Sequence, residues 1–380
     1  MKSTIESYNL GRLGVIGMTG CESFCEKVDY YLKTFNADDV NNLGTFLLPL
    51  KLSRFGTGEA KATLLHSART YDVYIIVDCF NYGATYKLYG TDIPMSPDDH
   101  YQDLKRAISA IGGKAKRITV IMPMLYEGRQ HKRSARESLD CAMALQELCN
   151  IGVDNIITFD AHDPRVQNAI PLHGFETVQP AYQFIKGLLQ NEPDLQIDSS
   201  HMMVISPDEG GMSRAIYVAN VLGLDMGMFY KRRDYTRIVD GRNPIVAHEF
   251  LGTSVEGKDM IIIDDMISSG ESVLEVASEL KKRKANKVFV FATFGLFTNG
   301  LDKFDKAYES GVIDKVLTTN LIYQTPDLLN RDWYINCDMS KYIAYIIDTL
   351  NHDTSISDLL NPNERIQSVV AKYKTGELMD

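Results

Sequence analysis

Residues 260–272 combine the pattern of a buried strand with two adjacent carboxylates and a small polar loop. An apolar run leads into Asp264 and Asp265, whose side chains point to opposite faces of an extended strand, so that at most one faces a ligand beside the loop. Backbone N–H groups at the start of the following helix suit a phosphate. The stretch therefore predicts a phosphate site beside a polyol or a hydrated metal. The alternative is a strand end with solubilising acids and a Ser/Gly turn.

Two other strand ends gather positive charge. The loop after the strand at 117–123 concentrates four cations, which are Arg129, Lys132, Arg133 and Arg136. Lys231, Arg232 and Arg233 follow the apolar run at 226–230. Guanidinium and ammonium groups at strand ends suit a polyphosphate, and the segment after Arg233 has the character of a loop that closes over one. A solvated loop or a subunit contact is the alternative for the first loop, and a solvated face for the second.

Two further strand ends carry possible metal or phosphate ligands. His162 stands between Asp160 and Asp163, and residues 206–211 read Ser-Pro-Asp-Glu-Gly-Gly. Two glycines ahead of a helix permit close approach of a ligand to the backbone. A single histidine at a strand end is more often only hydrogen-bonded.

The segments that must position these residues alternate between apolar strands and helical patterns, which indicates an α/β architecture with parallel sheets. We expect a helix over 22–35, a long loop over 81–99, a helix over 135–149 and a mostly helical tail from about residue 339. A chain of 380 residues predicts two domains or slightly more.

Composition limits the class of protein. The net charge of −10 argues against a general nucleic-acid binder, and no apolar run approaches the length of a membrane span. The first residues are polar and lack the apolar core of a signal peptide. The six cysteines are scattered, so we expect reduced thiols in a cytoplasmic protein, with no disulfide and no structural metal.

Taken in order along the chain, these loops resemble the ribose-phosphate pyrophosphokinase family, which makes phosphoribosyl pyrophosphate (PRPP). The segment 260–272 resembles the family's PRPP-binding loop, and the similarity extends over roughly residues 45–325. The other matching segments are 54–59 (Arg-Phe-Gly-Thr-Gly-Glu), 129–130 (Arg-Gln), 160–162 (Asp-Ala-His), 206–211, 231–233 and 292–298 (Ala-Thr-Phe-Gly-Leu-Phe-Thr).

The resemblance implies two tandem phosphoribosyltransferase-like domains of type I, each a mainly parallel sheet flanked by helices. The N-terminal domain would occupy 1–178, on the ATP side and with subunit contacts, and would lack its own ribose-phosphate loop. The C-terminal domain would occupy 179–325, and a mostly helical tail, 326–380, would pack on the domains. The family also implies a homo-oligomer of dimers, with a hexamer as one assembly of them.

On the nucleotide side, the resemblance implies that Phe55 and Glu59 contact adenine from a neighbouring subunit. Arg129 and Gln130 would hold ATP.

For the rest of the site, the resemblance implies that His162 and Asp208 help to place Mg²⁺, the expected cofactor. Lys231 and Arg233 would close over the diphosphoryl group in transfer. The residues that would bind ribose 5-phosphate are Asp264, Asp265, Ser268, Ser269, Gly270 and Ser272.

The chain departs from the family pattern at five positions of these loops. Thr57 and His131 replace aspartates in the ATP pocket, which puts the selectivity for adenine in question. Ser268 and Glu271 replace an aspartate and a glycine in the PRPP loop, and Phe294 replaces a histidine. An acidic Glu271 beside a 5′-phosphate would repel it unless the carboxylate points away.

Three functions are compatible with this pattern. The first is an active ribose-phosphate diphosphokinase, which transfers the diphosphoryl group of ATP to ribose 5-phosphate to give PRPP and AMP. The second is a non-catalytic or regulatory paralogue that binds without turnover. The third is a phosphoribosyltransferase that consumes PRPP, although one such domain needs only about half of this chain.

Overall fold

The computed structural model of the chain describes residues 10–36, 44–233 and 245–377, and the side chains of 231–233 and 245–248 lie outside that description. The strands are β1 (Arg12–Gly17), β2 (Leu50–Arg54), β3 (Ala60–Leu64), β4 (Tyr71–Ile76), β5 (Thr85–Leu88), β6 (Thr91–Pro94), β7 (Arg117–Ile121), β8 (Asn155–Phe159), β9 (Gly174–Val178), β10 (Met202–Ser206), β11 (Asp225–Arg233), β12 (Ile245–Leu251), β13 (Asp259–Ile267), β14 (Val288–Gly295), β15 (Lys315–Thr319) and β16 (Tyr334–Cys337). The α-helices are α1 (Glu22–Phe35), α2 (Pro97–Ile111), α3 (Asp140–Asn150), α4 (Ala181–Asn191), α5 (Met212–Leu222), α6 (Glu271–Lys282), α7 (Asp302–Glu309), α8 (Pro326–Leu329), α9 (Ser340–Asn351), α10 (Ser357–Leu360) and α11 (Asn363–Lys374). No helix in these described ranges is both long enough and apolar enough to cross a bilayer.

The chain divides into two compact units. Unit 1 comprises residues 1–179, 320–323 and 338–361, and unit 2 comprises 180–319, 324–337 and 362–380. Each unit is built on its own mainly parallel sheet with helices against it, as the alternation of apolar strands and helical patterns predicts.

The main sheet of unit 1 has the order β1-β4-β7-β8-β9, and every pair in it is parallel. Its central strands β4 and β7 are almost wholly buried because both faces are covered. Leu104 and Ile108 of α2 and Leu145 and Leu148 of α3 belong to one buried core with the strand residues. The loops after β7 and β8 therefore emerge at one edge of this sheet.

The sheet of unit 2 has the order β12-β11-β10-β13-β14-β15-β16, antiparallel only between β11 and β12. Met260 and Ile262 of β13 lie in the core on one face, while Ile261 and Ile263 lie in the core on the other. This period of two is that of a strand buried on both faces, and Asp264 and Asp265 follow directly after it. Since β10 and β13 are adjacent, the loops that leave their C-terminal ends also lie side by side.

Two segments differ from the sequence prediction. The prediction of a loop over 81–99 is wrong, because β5 and β6 form an antiparallel hairpin there and α2 already begins at Pro97. The Ser96 side chain caps α2 in a reciprocal capping box with Asp99. Helix α3 begins at Asp140 rather than at residue 135, which leaves all four cations of the preceding basic segment in a loop.

Candidate active site

Three carboxylates and one guanidinium meet at the C-terminal ends of β10 and β13. Asp265 is buried, and its backbone N–H donates to Asp264 Oδ1 at 2.8 Å. Arg214 Nη2 lies 3.9 Å from Asp265 Oδ2, and these two side chains are only 8% and 6% exposed. Burial raises the pKa of Asp264 well above its usual range, and the charges of Asp265 and Asp208 raise it further. This concentration of acid groups favours a ligand that brings hydroxyl donors or a cation.

The loop that carries Asp208 is built by its own hydrogen bonds. Asp208 Oδ1 accepts the N–H groups of Gly210, at 2.8 Å, and Gly211, at 3.3 Å. Ser206 Oγ donates to the carbonyl of Asp208 at 2.6 Å. A Cβ on Gly211 would come within 2.9 Å of Ser206 Oγ, so the close turn needs glycine there. The carboxylate of Asp208 is thus held in a fixed place before α5.

The loop between β13 and α6 contains the predicted ribose-phosphate residues Ser268, Ser269, Gly270 and Ser272. Gly270 has a φ of 80°, and a Cβ there would lie 2.3 Å from Phe304 Cε2. Thr298 donates its N–H to the Ser268 carbonyl at 3.0 Å, which fixes the start of the loop. The first N–H groups of α6 follow directly, as the prediction of an anion site requires.

The ring of Phe304 supports this loop from inside unit 2. It stacks on Trp333 with ring centroids 5.5 Å apart and meets Phe297 edge to face at 5.0 Å. Trp333 is 1% exposed, and its Nε1–H donates to Asp305 at 2.8 Å. The position of Phe304 is therefore set by packing on both sides.

Glu271 is paired with Lys303, whose Nζ lies 2.6 Å from Glu271 Oε1. The Lys303 ammonium lowers the pKa of Glu271 below its usual value. Glu271, which replaces the family's glycine, thus has a counter-ion in Lys303 of α7. No signal in the sequence around Glu271 pointed to this partner, which lies far away along the chain.

The turn between β2 and β3 presents Phe55 and Glu59 in unit 1. The Phe55 N–H donates to the Glu59 carbonyl at 2.8 Å, and Phe55 is 58% exposed. The Thr57 hydroxyl donates to Glu59 Oε2 at 3.0 Å, so this departure from the family pattern orients the carboxylate of Glu59. Arg54 anchors the base of the turn through a bond to Asp103 at 2.7 Å.

The loop after β7 carries Arg129 and Gln130. Gln130 Nε2 donates to the Ser138 carbonyl at 2.9 Å, which closes the loop across its base. The four cations of this loop are exposed, and none of their side chains forms a hydrogen bond or an ion pair with any residue that the structure describes; they are Arg129, Lys132, Arg133 and Arg136. In an acidic chain, such cations are available to an anionic ligand.

His131, His162 and Asp163 come together where β7 and β8 end. The two imidazole rings are 5.3 Å apart, and His131 Nε2 lies 3.5 Å from Asp163 Oδ2. The Arg165 guanidinium, bonded to Asp163, holds the pKa of that carboxyl well below its usual range. His131 Nδ1 is buried and has no hydrogen-bond partner in the described part of the chain. A buried polar atom without a partner fits a site that receives a polar ligand.

Lys231 and Arg233, the predicted catalytic residues, lie in β11, and their side chains are outside the described residues. The other predicted residues form three sets. Unit 1 holds Phe55 with Glu59 on one turn, and Arg129, Gln130 and His162 in the loops after β7 and β8. Unit 2 holds Asp208 and the residues predicted to bind ribose 5-phosphate. Sequence reasoning missed Arg214 and Lys303 as parts of the unit 2 site. A signal for Arg214 was available, because the resemblance of residues 206–211 to the family pattern extends to the Arg-Ala pair at 214–215.

Comparison with known proteins identifies the family. The N-terminal domain of ribose phosphate pyrophosphokinase matches residues 15–152, and the phosphoribosyl synthetase-associated domain matches residues 239–361. The ribose-phosphate pyrophosphokinase of Vibrio parahaemolyticus is 30% identical over 316 residues, which cover 82% of this chain and 90% of the relative. That of Shewanella oneidensis is 30% identical over 314 residues, with the same coverage of both chains.

The crystal structure of phosphoribosylpyrophosphate synthetase from Mycobacterium smegmatis shares the fold. The TM-score is 0.71 at 19% sequence identity, over 90% of this chain and 99% of that one. This likeness confirms the predicted α/β fold class. The chain belongs to the ribose-phosphate pyrophosphokinase family.

Proposed function

We propose that the chain is a ribose-phosphate diphosphokinase, which transfers the β,γ-diphosphoryl group of ATP to the 1-hydroxyl of ribose 5-phosphate and releases PRPP and AMP. The observation that carries the proposal is the match to ribose-phosphate pyrophosphokinases over most of both chains. The acidic strand end and glycine loop of unit 2 support it, because they suit a sugar that also carries a phosphate.

In unit 2, Asp264 and Asp265 would receive the hydroxyl groups of ribose 5-phosphate. A polyol donates hydrogen bonds to carboxylates, and these bonds are strong where water is excluded. The 5′-phosphate would rest on the loop residues Ser268, Ser269, Gly270 and Ser272, at the positive end of α6.

In unit 1, Phe55 and Glu59 would contact the adenine, and Arg129 and Gln130 would hold the ATP. The exposure of Phe55 supports a role at a contact with a second copy of the chain. We therefore propose a homo-oligomer built from dimers, in which Phe55 of one copy reaches the Arg129 loop of another. A cytoplasmic location stays a prediction.

Mg²⁺ is the proposed cofactor, with His162 and Asp208 as the residues that help to place it. No group of three or more His, Cys, Asp or Glu side chains within the described ranges could hold a metal alone. Mg²⁺ in phosphoryl-transfer sites commonly keeps several waters and binds one or two protein groups together with substrate phosphates, so the proposal does not require a cluster of three protein ligands. When bound, the ion would neutralise charge on the phosphate oxygens.

A direct assay tests the function. We expect the purified chain to form AMP and PRPP in equal amounts from Mg-ATP and ribose 5-phosphate. Binding of both substrates without turnover would instead support a regulatory paralogue. Release of pyrophosphate from PRPP and a base, with no AMP from ATP, would identify a phosphoribosyltransferase.

The Glu271–Lys303 pair gives a second prediction. In Lys303→Ala, Glu271 would keep its charge beside the bound 5′-phosphate without a counter-ion. We expect the KM for ribose 5-phosphate to rise about two- to fivefold at low salt and less at high salt, because both groups are half exposed and screened. The measurement is the initial rate against ribose 5-phosphate at two ionic strengths.

Lys306→Ala is the control, since Lys306 is an exposed lysine of the same helix. Adding Glu271→Gln to Lys303→Ala should restore the KM. A KM that stays raised in the double variant would show that repulsion by Glu271 is not the cause.

A further inference from the structure

The hairpin of β5 and β6 ends in a turn that is unusual for its sequence. Tyr89 and Gly90 join the strands, with Leu88 paired to Thr91, and their φ angles are 46° and 84°. Two central residues with positive φ are typical of a type I′ turn, for which Asn-Gly is a preferred pair. A bulky tyrosine rarely adopts a positive φ, and such outliers concentrate at functional sites.

The turn of this hairpin is fixed against the turn that carries Phe55. The Tyr89 N–H donates to the Gly56 carbonyl at 2.8 Å. A Cβ on Gly58 would lie 2.9 Å from Leu88 Cδ1, so the two turns are in close contact. At the base, the Arg54 guanidinium lies over the Tyr86 ring at 4.2 Å. Tyr89 is thereby placed beside Phe55 by backbone and side-chain contacts.

Both aromatic side chains are left in solvent. Phe55 is 58% exposed and Tyr89 is 81% exposed. Among the described residues, neither ring stacks on another aromatic ring or lies under a cation. Phe55 and Tyr89 thus lie on two turns that contact each other, and an exposed ring on each suits a planar ligand that can stack on it.

We propose that Tyr89 is a second aromatic contact for the adenine ring of ATP, next to Phe55. The proposal rests on the proposed function, which gives Phe55 the nucleobase. Every nucleobase has a π-face, so stacking on Tyr89 strengthens nucleotide binding without selecting the base. The turn fixes the Tyr89 backbone against the Phe55 turn before the nucleotide arrives, which reduces the backbone entropy lost on binding.

Tyr89→Asn is the most informative variant, because it removes the ring and leaves an Asn-Gly pair that suits the type I′ turn. We expect the KM for ATP to rise about tenfold, which lies within the range for loss of one base–aromatic stack. The kcat and the KM for ribose 5-phosphate should stay within about twofold, since the contact is made equally in the ground state and the transition state.

Inhibition constants distinguish contacts to the nucleobase from contacts to the phosphates. In Tyr89→Asn the inhibition constant of AMP should rise about tenfold, whereas that of inorganic tripolyphosphate, which has no base, should not change. Tyr89→Phe keeps the ring and should behave as the parent protein. Tyr30→Ala removes another tyrosine of unit 1, 65% exposed and on α1, and should alter none of these constants.

Three outcomes would overturn the proposal. The first is an unchanged KM for ATP in Tyr89→Asn, and the second is an equal loss of AMP and tripolyphosphate binding. The third is a change of oligomeric state in Tyr89→Asn, measured by light scattering, because it would show that Tyr89 is a subunit contact. If the parent protein forms no AMP from ATP, the proposed function fails. AMP binding measured by calorimetry in Tyr89→Asn then still tests the ring by itself.

Discussion

Lys231→Ala is expected to lower kcat by at least about a hundredfold, the loss typical of removing one donor that stabilises the transition state. Diphosphoryl transfer depends on in-line positioning and on neutralising charge on the equatorial oxygens. Lys231 follows the apolar part of β11, next to Arg232 and Arg233. We propose that Lys231 and Arg233 supply positive charge to the group in transfer, in addition to the charge of Mg²⁺.

The measurement is the rate of AMP formation with both substrates saturating. Lys231→Arg keeps the charge but changes the shape of the donor, so an intermediate rate is expected. Lys282→Ala removes a 69% exposed lysine from the end of α6 and should have a near-normal kcat. A near-normal kcat in Lys231→Ala would remove its assigned role, and a raised KM alone would limit the role to binding.

Gly270→Ala is expected to lower the free energy of unfolding by about 2–4 kcal/mol and to raise the KM for ribose 5-phosphate at least about tenfold. The methyl group would impose a left-handed backbone on alanine and would also lie 2.3 Å from Phe304 Cε2. Phe304 cannot move aside easily, because it is 1% exposed and packed between Phe297 and Trp333. The loop that should hold the 5′-phosphate must therefore shift.

Gly300→Ala separates the effect of backbone strain from the effect of a steric clash with Phe304. Gly300 has a φ of 76°, close to that of Gly270, but nothing lies within 4 Å of the position of its Cβ. We expect Gly300→Ala to lower the free energy of unfolding by only about 1 kcal/mol, because of backbone strain. The KM for ribose 5-phosphate should not change. Chemical denaturation and substrate kinetics measure both effects. Equal behaviour of the two variants would show that Phe304 does not define the loop.

The regular elements were predictable because their signals are local. The apolar run that leads into Asp264 predicts a strand buried on both faces, and the cores on either side of β13 confirm it. The hairpin of β5 and β6 was missed because glycine, proline and tyrosine over 81–99 hid its alternation. Helix α3 starts late because the segment before it forms local bonds, as between the Ser134 N–H and Glu137, that compete with a helical turn.

The candidate site was predictable only where its residues are close in sequence. The loops at 206–211 and 260–272 each contain several of the predicted binding residues, so a motif can identify them. The pairing of Arg214 with Asp265, and of Glu271 with Lys303, depends on which strands and helices are neighbours. The burial of His131 Nδ1 is also a property of packing, which a single sequence does not encode in any short pattern.

The aromatic cluster beneath the loop between β13 and α6 gives the protein an internal optical probe. Trp333 is the only tryptophan of the chain, and it stacks on the ring that Gly270 nearly touches. Indole fluorescence depends on the local environment and on nearby quenching groups. Any movement of the loop that displaces Phe304 should therefore change the emission of a single, buried fluorophore. If ribose 5-phosphate binds at this loop as proposed, its binding should be observable in the untagged protein, without turnover and without an added dye.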